Sequence, residues 1–266
     1  MIAIGGGIIQ DITCFLAATL LRGVDWWFIP TTLLAQCDSC IGSKSSINCA
    51  DAKNILGTFT PPKKIFIFTE FLQTLGDHEL QSGVGEMIKV HAISGPDALN
   101  KISKNYDHLF TDTPTLLRYL QHSLEIKKHI IEQDEFDQDI RNIMNYGHTF
   151  GHAIEAATQY TVPHGIAVTI GMDMANYLAS KYDSQKYFFY NQMHTILKKN
   201  YQSFTKHAIP LDHFLSAILK DKKNTGKNSV SVILPNELGV ISKTKLNNDS
   251  LFRQYCSDYL LHGREQ

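Results

Sequence analysis

The amino-acid sequence predicts an α/β segment at the N-terminus followed by a mostly α-helical domain, with the change near residue 77. Short runs rich in β-branched and aromatic residues alternate with helical stretches in the first part, as in α/β layers. Beyond that point, apolar residues recur with the helical period. Three consecutive glycines between the first strand and the first helix are the third indication, because such turns occur in α/β folds that bind phosphate groups.

The N-terminal segment begins with a predicted strand at residues 2–7, which leads into an apolar helix at 8–20. Two further strands are expected at 24–29 and 64–69, with helical segments between them. The sequence contains no internal repeat, low-complexity tract or long linker.

The C-terminal part consists mainly of amphipathic runs with the spacing of helices. Helices are predicted at residues 77–93, 113–133, 138–159, 164–182, 184–201 and 211–220, with one late strand at 229–234. We therefore expect one domain over residues 1–76 and a second over 77–266.

Composition excludes several classes of protein. The 266 residues are 43% hydrophobic, enough to bury a sizeable core, and the formal net charge is -1. This charge does not favour binding to nucleic acid or to an anionic membrane surface. No apolar run reaches the roughly 18 residues that a membrane helix needs. We therefore expect neither nucleic acid nor a membrane as a partner.

The five cysteines are an odd number in a chain without a basic signal-peptide region, so free thiols in a reducing cytoplasm are expected. Cys37 and Cys40 form a C-x-x-C pair that is compatible with a redox pair or with half of a zinc site. A second such pair is lacking, and we favour two small buried side chains.

The most informative motif is N-Y-G-H-T-F-G-H at residues 145–152, followed by P-H-G at 163–165. His148 and His152 are four residues apart in a predicted helix, so both rings project from one face. His164 begins the next helix and can fold back onto that face. Three converging imidazoles suit a divalent metal such as zinc. The alternative is a surface pair of histidines plus one at a helix end.

A series of motifs resembles the 3-dehydroquinate synthase family, which belongs to the sugar phosphate cyclases. The motifs are G-G-G-I-I-Q-D at 5–11, R-G-V at 22–24, P-T-T-L-L-A-Q at 30–36, D-S at 38–39, Lys44, K-N at 53–54, G-E-M-I-K at 85–89, the histidine motif at 145–152, H-G at 164–165 and D-K-K at 221–223. The resemblance covers almost the whole chain and implies a partial Rossmann-like NAD-binding domain, followed by a helical metal- and substrate-binding domain.

The resemblance implies a metal site formed by Glu86, His148 and His164, with Zn²⁺ as the ion and Co²⁺ as a substitute. Three protein ligands leave coordination positions for substrate oxygens, as in catalytic zinc sites. His152 would then face the substrate as a proton-transfer or hydrogen-bonding group. The alternative for Glu86 is a solvated helix carboxylate paired with Lys89.

The resemblance also implies roles for residues outside the metal site. The catalytic residues would be His152, Lys89, Lys127 and Asp38. The substrate-binding residues would be Lys44, Asn54, Lys89 and Lys222 near the phosphate, Arg141 and Asn145 near the carboxylate, and Arg22 in the partner subunit's site of a homodimer. The NAD-binding residues would be Gly5, Gly6, Gly7, Asp11, Thr31, Thr32, Asp38, Lys44 and Lys53.

The reaction implied by the resemblance converts 3-deoxy-arabino-heptulosonate 7-phosphate to 3-dehydroquinate and phosphate, with NAD regenerated in each turnover. Three alternatives stay open. One is a cyclase of the 2-deoxy-scyllo-inosose or 2-epi-5-epi-valiolone synthase type, and another is a metal-dependent polyol dehydrogenase, which would not need the lysines. The third is an inactive remnant, since the resemblance begins at the glycine turn and leaves the upstream α/β part of the family's nucleotide fold unmatched. An open sheet edge with an exposed apolar face is therefore expected at the N-terminus.

Overall fold

The computed structural model describes residues 1–49, 52–220 and 229–265, and the side chains of 48, 49 and 52–55 lie outside this description. The described strands are β1 (Ile2–Gly5), β2 (Trp27–Pro30), β3 (Lys44–Cys49), β4 (Ala52–Phe59), β5 (Lys64–Ile65), β6 (Ser229–Pro235) and β7 (Ile241–Asn247). The described helices are α1 (Gly7–Thr19), α2 (Asp77–Ser94), α3 (Pro96–Lys104), α4 (His108–Thr111), α5 (Thr113–Gln133), α6 (His148–Ala157), α7 (His164–Tyr182), α8 (Tyr187–Asn200), α9 (Leu211–Lys220) and α10 (Ser250–Asp258).

The chain forms two units, each assembled from two stretches of sequence. The first unit contains residues 1–87 and 105–141, and the second contains residues 88–104 and 142–266. The division falls inside α2, which continues as one helix from the first unit into the second. The expected domains at 1–76 and 77–266 stay a prediction.

The first unit contains a parallel sheet in the order β1-β2-β5, with α1 connecting β1 to β2. Trp26 and Phe28 pack with Ala3, Cys14 and Ala17 in its core. The predicted α/β alternation is therefore confirmed for the start of the chain. The third strand is shorter than predicted, with two residues in the sheet.

Among the described strands, β1 is one of the two edges of this sheet and β5 is the other. Apolar side chains are exposed on β1 and on α1, among them Ile4 at 57%, Ile8 at 79% and Ile12 at 53%. Sheets of parallel strands are normally covered on both faces. The edge and its exposed apolar residues match the expectation from the sequence.

The stretch between β2 and β5 was predicted to be helical, and this prediction is wrong for the part that forms β3 and β4. These two strands pair antiparallel, with Lys44 opposite Phe59 and an irregularity between Ile47 and Cys49. Gly57 lies opposite Ser46, and a Cβ at residue 57 would overlap the backbone of Ser45. The close approach of two backbones explains a glycine in a strand.

The second unit is built around α7, in which every residue from 165 to 180 is buried. Its bounds agree with the predicted helix at 164–182, and those of α5 and α9 also agree with prediction. The helix predicted at 138–159 is wrong at its start. A 3-10 turn at Ile140–Asn145 and a left-handed Gly147, with φ of +77°, delay the helix until His148. The sequence did not predict four of the described elements, α3, α4, α10 and β7.

A buried carboxylate anchors the middle of α7. Asp173 is 0% exposed and accepts hydrogen bonds from Tyr201 at 2.6 Å and Tyr259 at 2.8 Å, while Nδ1 of His194 lies 2.9 Å from it. Buried charge is tolerated when donors surround it. These contacts hold α8 and the C-terminal turn at Tyr259–Gly263 against the helix that begins with His164.

The C-x-x-C pair has a structural role in this fold. Cys37 and Cys40 are buried thiols that contact the backbone carbonyls of Gly83 and Gln36, respectively. Burial raises the pKa of the Cys40 thiol to about 12, so it stays protonated and unreactive at neutral pH.

Among the described helices, none combines the length and the apolar character that a bilayer crossing requires.

Candidate metal centre and active site

Three histidine rings meet where α6 begins and α7 starts. The ring centroids of His148 and His152 are 5.3 Å apart, those of His148 and His164 are 5.4 Å apart, and those of His152 and His164 are 5.8 Å apart. The convergence predicted from the spacing of the histidine motif is therefore present. The alternative of separate surface histidines does not describe this arrangement.

Glycines allow α6 and α7 to approach closely enough for the rings to meet. A Cβ at Gly151 would lie 3.0 Å from the Cα of Val168, which is tighter than ordinary packing. A Cβ at Gly171 would overlap the carbonyl oxygen of Gly147. The glycines that flank His148 and His152 in the sequence are thus explained by helix packing.

Hydrogen bonds fix the orientation of two of the rings. Nδ1 of His148 lies 3.1 Å from the carbonyl oxygen of Tyr146, and Nδ1 of His164 lies 3.2 Å from Oε1 of Glu155. A carbonyl or carboxylate oxygen accepts a hydrogen bond, so each Nδ1 carries the hydrogen and donates it. In a neutral ring of this tautomer the lone pair is on Nε2, which is the form that binds a metal.

The surroundings of His148 keep its ring uncharged. Burial lowers the pKa of His148 well below its usual value, and the nearby Lys89 ammonium lowers it further, followed by His152 and His164. Metal binding requires neutral imidazole. At neutral pH, His148 is therefore already in the state needed for a ligand.

A buried carboxylate completes a set of three donors. Glu86 is 1% exposed and lies on α2 two residues before that helix enters the second unit. Ligand atoms of Glu86, His148 and His164 all lie within 4.8 Å of one another. The burial of Glu86 excludes the alternative that it is a solvated helix carboxylate.

A second set meets the same distance limit, namely His152, Glu155 and His164. In this set, however, the Glu155 carboxylate already contacts Nδ1 of His164. The first set combines one carboxylate with two imidazoles whose Nδ1 atoms contact other partners. This donor set fits a catalytic zinc or cobalt ion with an open coordination position. The residues present therefore fit the expected metal.

Two of the predicted catalytic residues form an ion pair in the first unit. Nζ of Lys127 lies 2.6 Å from Oδ1 of Asp38 and also donates to the Asp38 backbone carbonyl. Both side chains are largely buried, with exposures of 10% and 13%. The backbone and side-chain contacts together hold the ammonium group in one position.

Two other predicted cations of the first unit, Lys44 and Arg141, also have partners. Lys44 forms an ion pair with Asp137 at 2.7 Å, and Lys44 is half exposed. The guanidinium group of Arg141 is buried and donates to the carbonyl of Gly42 at 3.0 Å and to that of Glu135. These carbonyl partners could not be predicted from the sequence, because every residue has a backbone carbonyl.

Gly5, Gly6, Gly7, Thr31 and Thr32, which were predicted to bind NAD, lie at the start of α1. Gly6 caps this helix without a side-chain hydrogen bond, so its first amide groups are open to an anion. Asp11 accepts a hydrogen bond from the backbone N–H of Ser46, and burial raises its pKa. The hydroxyl of Thr32 accepts from the N–H of Ala35, and the N–H of Thr31 donates to the carbonyl of Gly5. Gly7 is the first residue of the helix.

The remaining predicted residues differ in their burial and in their contacts. Lys89 is buried at 2% exposure near His148, and the Asn145 amide donates to the carbonyl of Asn142. Arg22 is exposed in a left-handed turn with φ of +68°. The side chains of Lys53 and Asn54, and the whole of Lys222, lie outside the described residues.

Two hydrogen-bond partners of the histidines, Glu155 and the carbonyl of Tyr146, were not predicted from the sequence. Glu155 lies three residues after His152 on α6, so it is on the same side of the helix. That spacing was a usable signal for a carboxylate near the histidines. The Tyr146 carbonyl could not have been identified without the geometry of the turn at Gly147.

Two family models match the chain. The model described as 3-dehydroquinate synthase N-terminal matches residues 1–82, and the one described as 3-dehydroquinate synthase C-terminal matches residues 83–224. A relative named 3-dehydroquinate synthase, from Dictyoglomus turgidum, is 38% identical over 241 residues, which are 90% of this chain and 67% of the relative.

Two solved structures are similar in fold. A 2-deoxy-scyllo-inosose synthase complexed with carbaglucose-6-phosphate, NAD⁺ and Co²⁺ has a TM-score of 0.82 at 22% identity, over 95% of this chain and 72% of the other. A 2-epi-5-epi-valiolone synthase from Streptomyces hygroscopicus, with NAD⁺ and Zn²⁺ bound, has a TM-score of 0.81 at 24% identity, over 98% of this chain and 72% of the other. At these identities, the likeness establishes the fold.

Proposed function

The chain belongs to the 3-dehydroquinate synthase family, and on that premise we propose how its residues carry out the family's reaction. The enzyme is a carbon–oxygen lyase that converts 3-deoxy-arabino-heptulosonate 7-phosphate to 3-dehydroquinate and phosphate in the shikimate pathway. The observation that carries the assignment of residues is the grouping of Glu86, His148 and His164. The comparisons do not favour the alternatives, because the relative at 38% identity is a dehydroquinate synthase.

We propose that Glu86, His148 and His164 hold a divalent ion, Zn²⁺ or Co²⁺, and that the glycine turn before α1 binds NAD. When bound, the ion supplies Lewis-acid polarisation of a substrate oxygen, and NAD supplies a reversible hydride acceptor. The neutral ring of His148 supports the first assignment, together with the contact between Nδ1 of His164 and Glu155. The uncapped amide groups of α1 support the second, together with the ligands in the two structures of similar fold.

The chain's own groups then orient the substrate and move protons. We propose that His152 accepts or returns a substrate proton at a ring nitrogen, because its ring lies beside both metal-binding rings. The side chains of Lys89 and Lys127 are buried, and the ammonium group of Lys127 is held by Asp38. Buried, fixed charges stabilise developing negative charge without further reorganisation.

The substrate's two anionic groups require separate partners. We propose Arg141 and Asn145 for the carboxylate, because two carbonyl contacts still leave donors among the five N–H groups of a guanidinium. We propose Lys44, Lys89, Asn54 and Lys222 for the phosphate. The half-exposed Lys44 keeps hydrogen-bond donors beyond its contact with Asp137.

Release of inorganic phosphate tests the activity directly. The protein should release phosphate from 3-deoxy-arabino-heptulosonate 7-phosphate in the presence of NAD and Zn²⁺, and should give little release from sedoheptulose 7-phosphate or glucose 6-phosphate. A chelator should stop the reaction, and added Zn²⁺ or Co²⁺ should restore it. Release only from a substrate without a carboxylate would refute the assignment of substrate.

We further propose a cytoplasmic homodimer in which Arg22 serves the partner subunit's site. Its support is the exposure of Arg22 and its left-handed backbone, because strained backbone is concentrated at functional positions. The buried free thiols are compatible with a reducing compartment.

Complementation between two inactive variants tests the shared site. Arg22→Ala and His148→Ala should each be inactive as homodimers, and mixing them with subunit exchange should restore about a quarter of the activity, because a shared site can be intact once in a mixed dimer. Light scattering should give the mass of a dimer. A monomer, or a mixture with no recovered activity after proven exchange, would contradict the proposal.

A further inference from the structure

Glu155 is a buried carboxylate that is neither one of the proposed metal ligands nor one of the proposed catalytic residues. Its side chain is 7% exposed, and its Oε1 lies 3.2 Å from Nδ1 of His164. It belongs to the last turns of α6, near the negative end of that helix's dipole. Burying a carboxylate there is unfavourable unless a hydrogen donor compensates it. The contact with His164 is such a donor.

The contact determines which nitrogen His164 can offer. An imidazole ring has two nitrogens, and in the neutral ring the one that donates to a carboxylate leaves the other as the acceptor. Since Nδ1 faces Glu155, Nε2 is the atom available to an ion. His148 is arranged in the same way, with Nδ1 directed at the Tyr146 carbonyl.

The two outer partners differ in charge. The partner of His148 is a neutral carbonyl, whereas that of His164 is a carboxylate. A carboxylate that accepts from a ligating imidazole raises the basicity of the ring and strengthens its bond to the metal. His164 is therefore the stronger of the two donors, provided that Glu155 keeps its charge.

We infer that Glu155 is a positioning residue that holds His164 with Nε2 toward the ion and sets the metal affinity of the site. This inference rests on the proposed metal set of Glu86, His148 and His164. It excludes Glu155 as a ligand, although Glu155 also belongs to the second group of side chains with suitable spacing.

Metal affinity of the 266-residue protein tests the role of Glu155. Competition against a chromogenic chelator should show that Glu155→Ala weakens Zn²⁺ binding by about 10- to 100-fold. Glu155→Gln should lose less, because its amide oxygen can still accept from Nδ1 but carries no charge. Glu132→Gln, at an exposed ion pair with Lys128 on α5, is the matched control and should bind as the wild type does.

A purely structural role would give a different pattern. The melting temperature of the metal-free Glu155→Gln protein should stay close to that of the wild type, while its Co²⁺ absorption bands shift. A lowered melting temperature with unchanged bands and unchanged Zn²⁺ affinity would overturn the inference.

Variants of the ligands separate this inference from the proposed function. If Glu86→Gln abolishes Zn²⁺ binding and Glu155→Ala changes it by less than about threefold, below the range expected for such partners, the inference alone fails. If Glu155→Ala abolishes binding and Glu86→Gln does not, Glu155 is a ligand, which overturns the inference and the proposed metal set together. A wild-type protein that binds no Zn²⁺ overturns the proposed function first.

Discussion

Alanine in place of His148 is expected to abolish tight Zn²⁺ binding and to lower kcat/KM for phosphate release by about 10³-fold or more, because a catalytic metal contributes several kcal/mol to the transition state. His148 is buried and neutral, and its Nδ1 is directed at the Tyr146 carbonyl, so its Nε2 is the atom that would bind the ion. The remaining pair, Glu86 and His164, would leave the ion with two protein ligands.

His152→Ala is the matched comparison, because His152 lies one turn from His148 on the same helix. It should keep Zn²⁺ affinity near that of the wild type and lose about 10²- to 10⁴-fold in kcat, the range for removal of a proton-transfer group. Zn²⁺ content by atomic absorption and initial rates of phosphate release measure the two effects. If His152→Ala loses the metal while His148→Ala keeps it, the ion belongs with His152, Glu155 and His164.

The comparison of these two variants also shows how far the sequence leads. Spacing alone placed His148 and His152 on one helical face and brought His164 back toward them, and the ring distances agree. Spacing could not decide whether Glu86 was a surface carboxylate. Its burial depends on helix packing, which periodicity in one segment does not describe.

The elements with strong local signals were predicted well. α5 has the predicted bounds because Asp112 caps it, accepting from the N–H of Thr115, and Pro114 lies in its first turn. α7 is long and mostly apolar around its circumference, which indicates a buried helix. In both cases a local pattern agrees with the tertiary environment.

The missed elements depend on contacts between distant residues. The hairpin of β3 and β4 contains serine, threonine and β-branched residues, which favour strands only weakly and depend on the neighbouring strand. The start of α6 depends on the left-handed Gly147, whose φ is not readable from the sequence. The outer hydrogen bonds of the site were hidden for the same reason, since the carbonyl of Tyr146 belongs to that turn.

Alanine in place of Gly171 is expected to destabilise the protein by about 3 kcal/mol and to weaken the metal site, because overpacking typically costs 1–3 kcal/mol and more where backbone is in the way. The added Cβ would overlap the carbonyl oxygen of Gly147 and would lie 2.7 Å from the backbone nitrogen of Gly151. Backbone cannot rotate aside as a side chain does, so α6 and α7 must separate. The gain of up to about 1 kcal/mol from replacing a helical glycine is too small to offset this.

Gly7→Ala is the control for the effect of glycine itself, because a Cβ at that helical position has no heavy atom within 4 Å. It should change stability by less than about 1 kcal/mol, and in the favourable direction. Urea unfolding of the metal-free proteins measures the difference in free energy, and chelator competition measures the metal. Separation of α6 from α7 would move His148 and His152 away from His164, so both quantities should fall together in Gly171→Ala. A variant that unfolds as the wild type does and binds Zn²⁺ equally well would show that this glycine contact does not position the histidines.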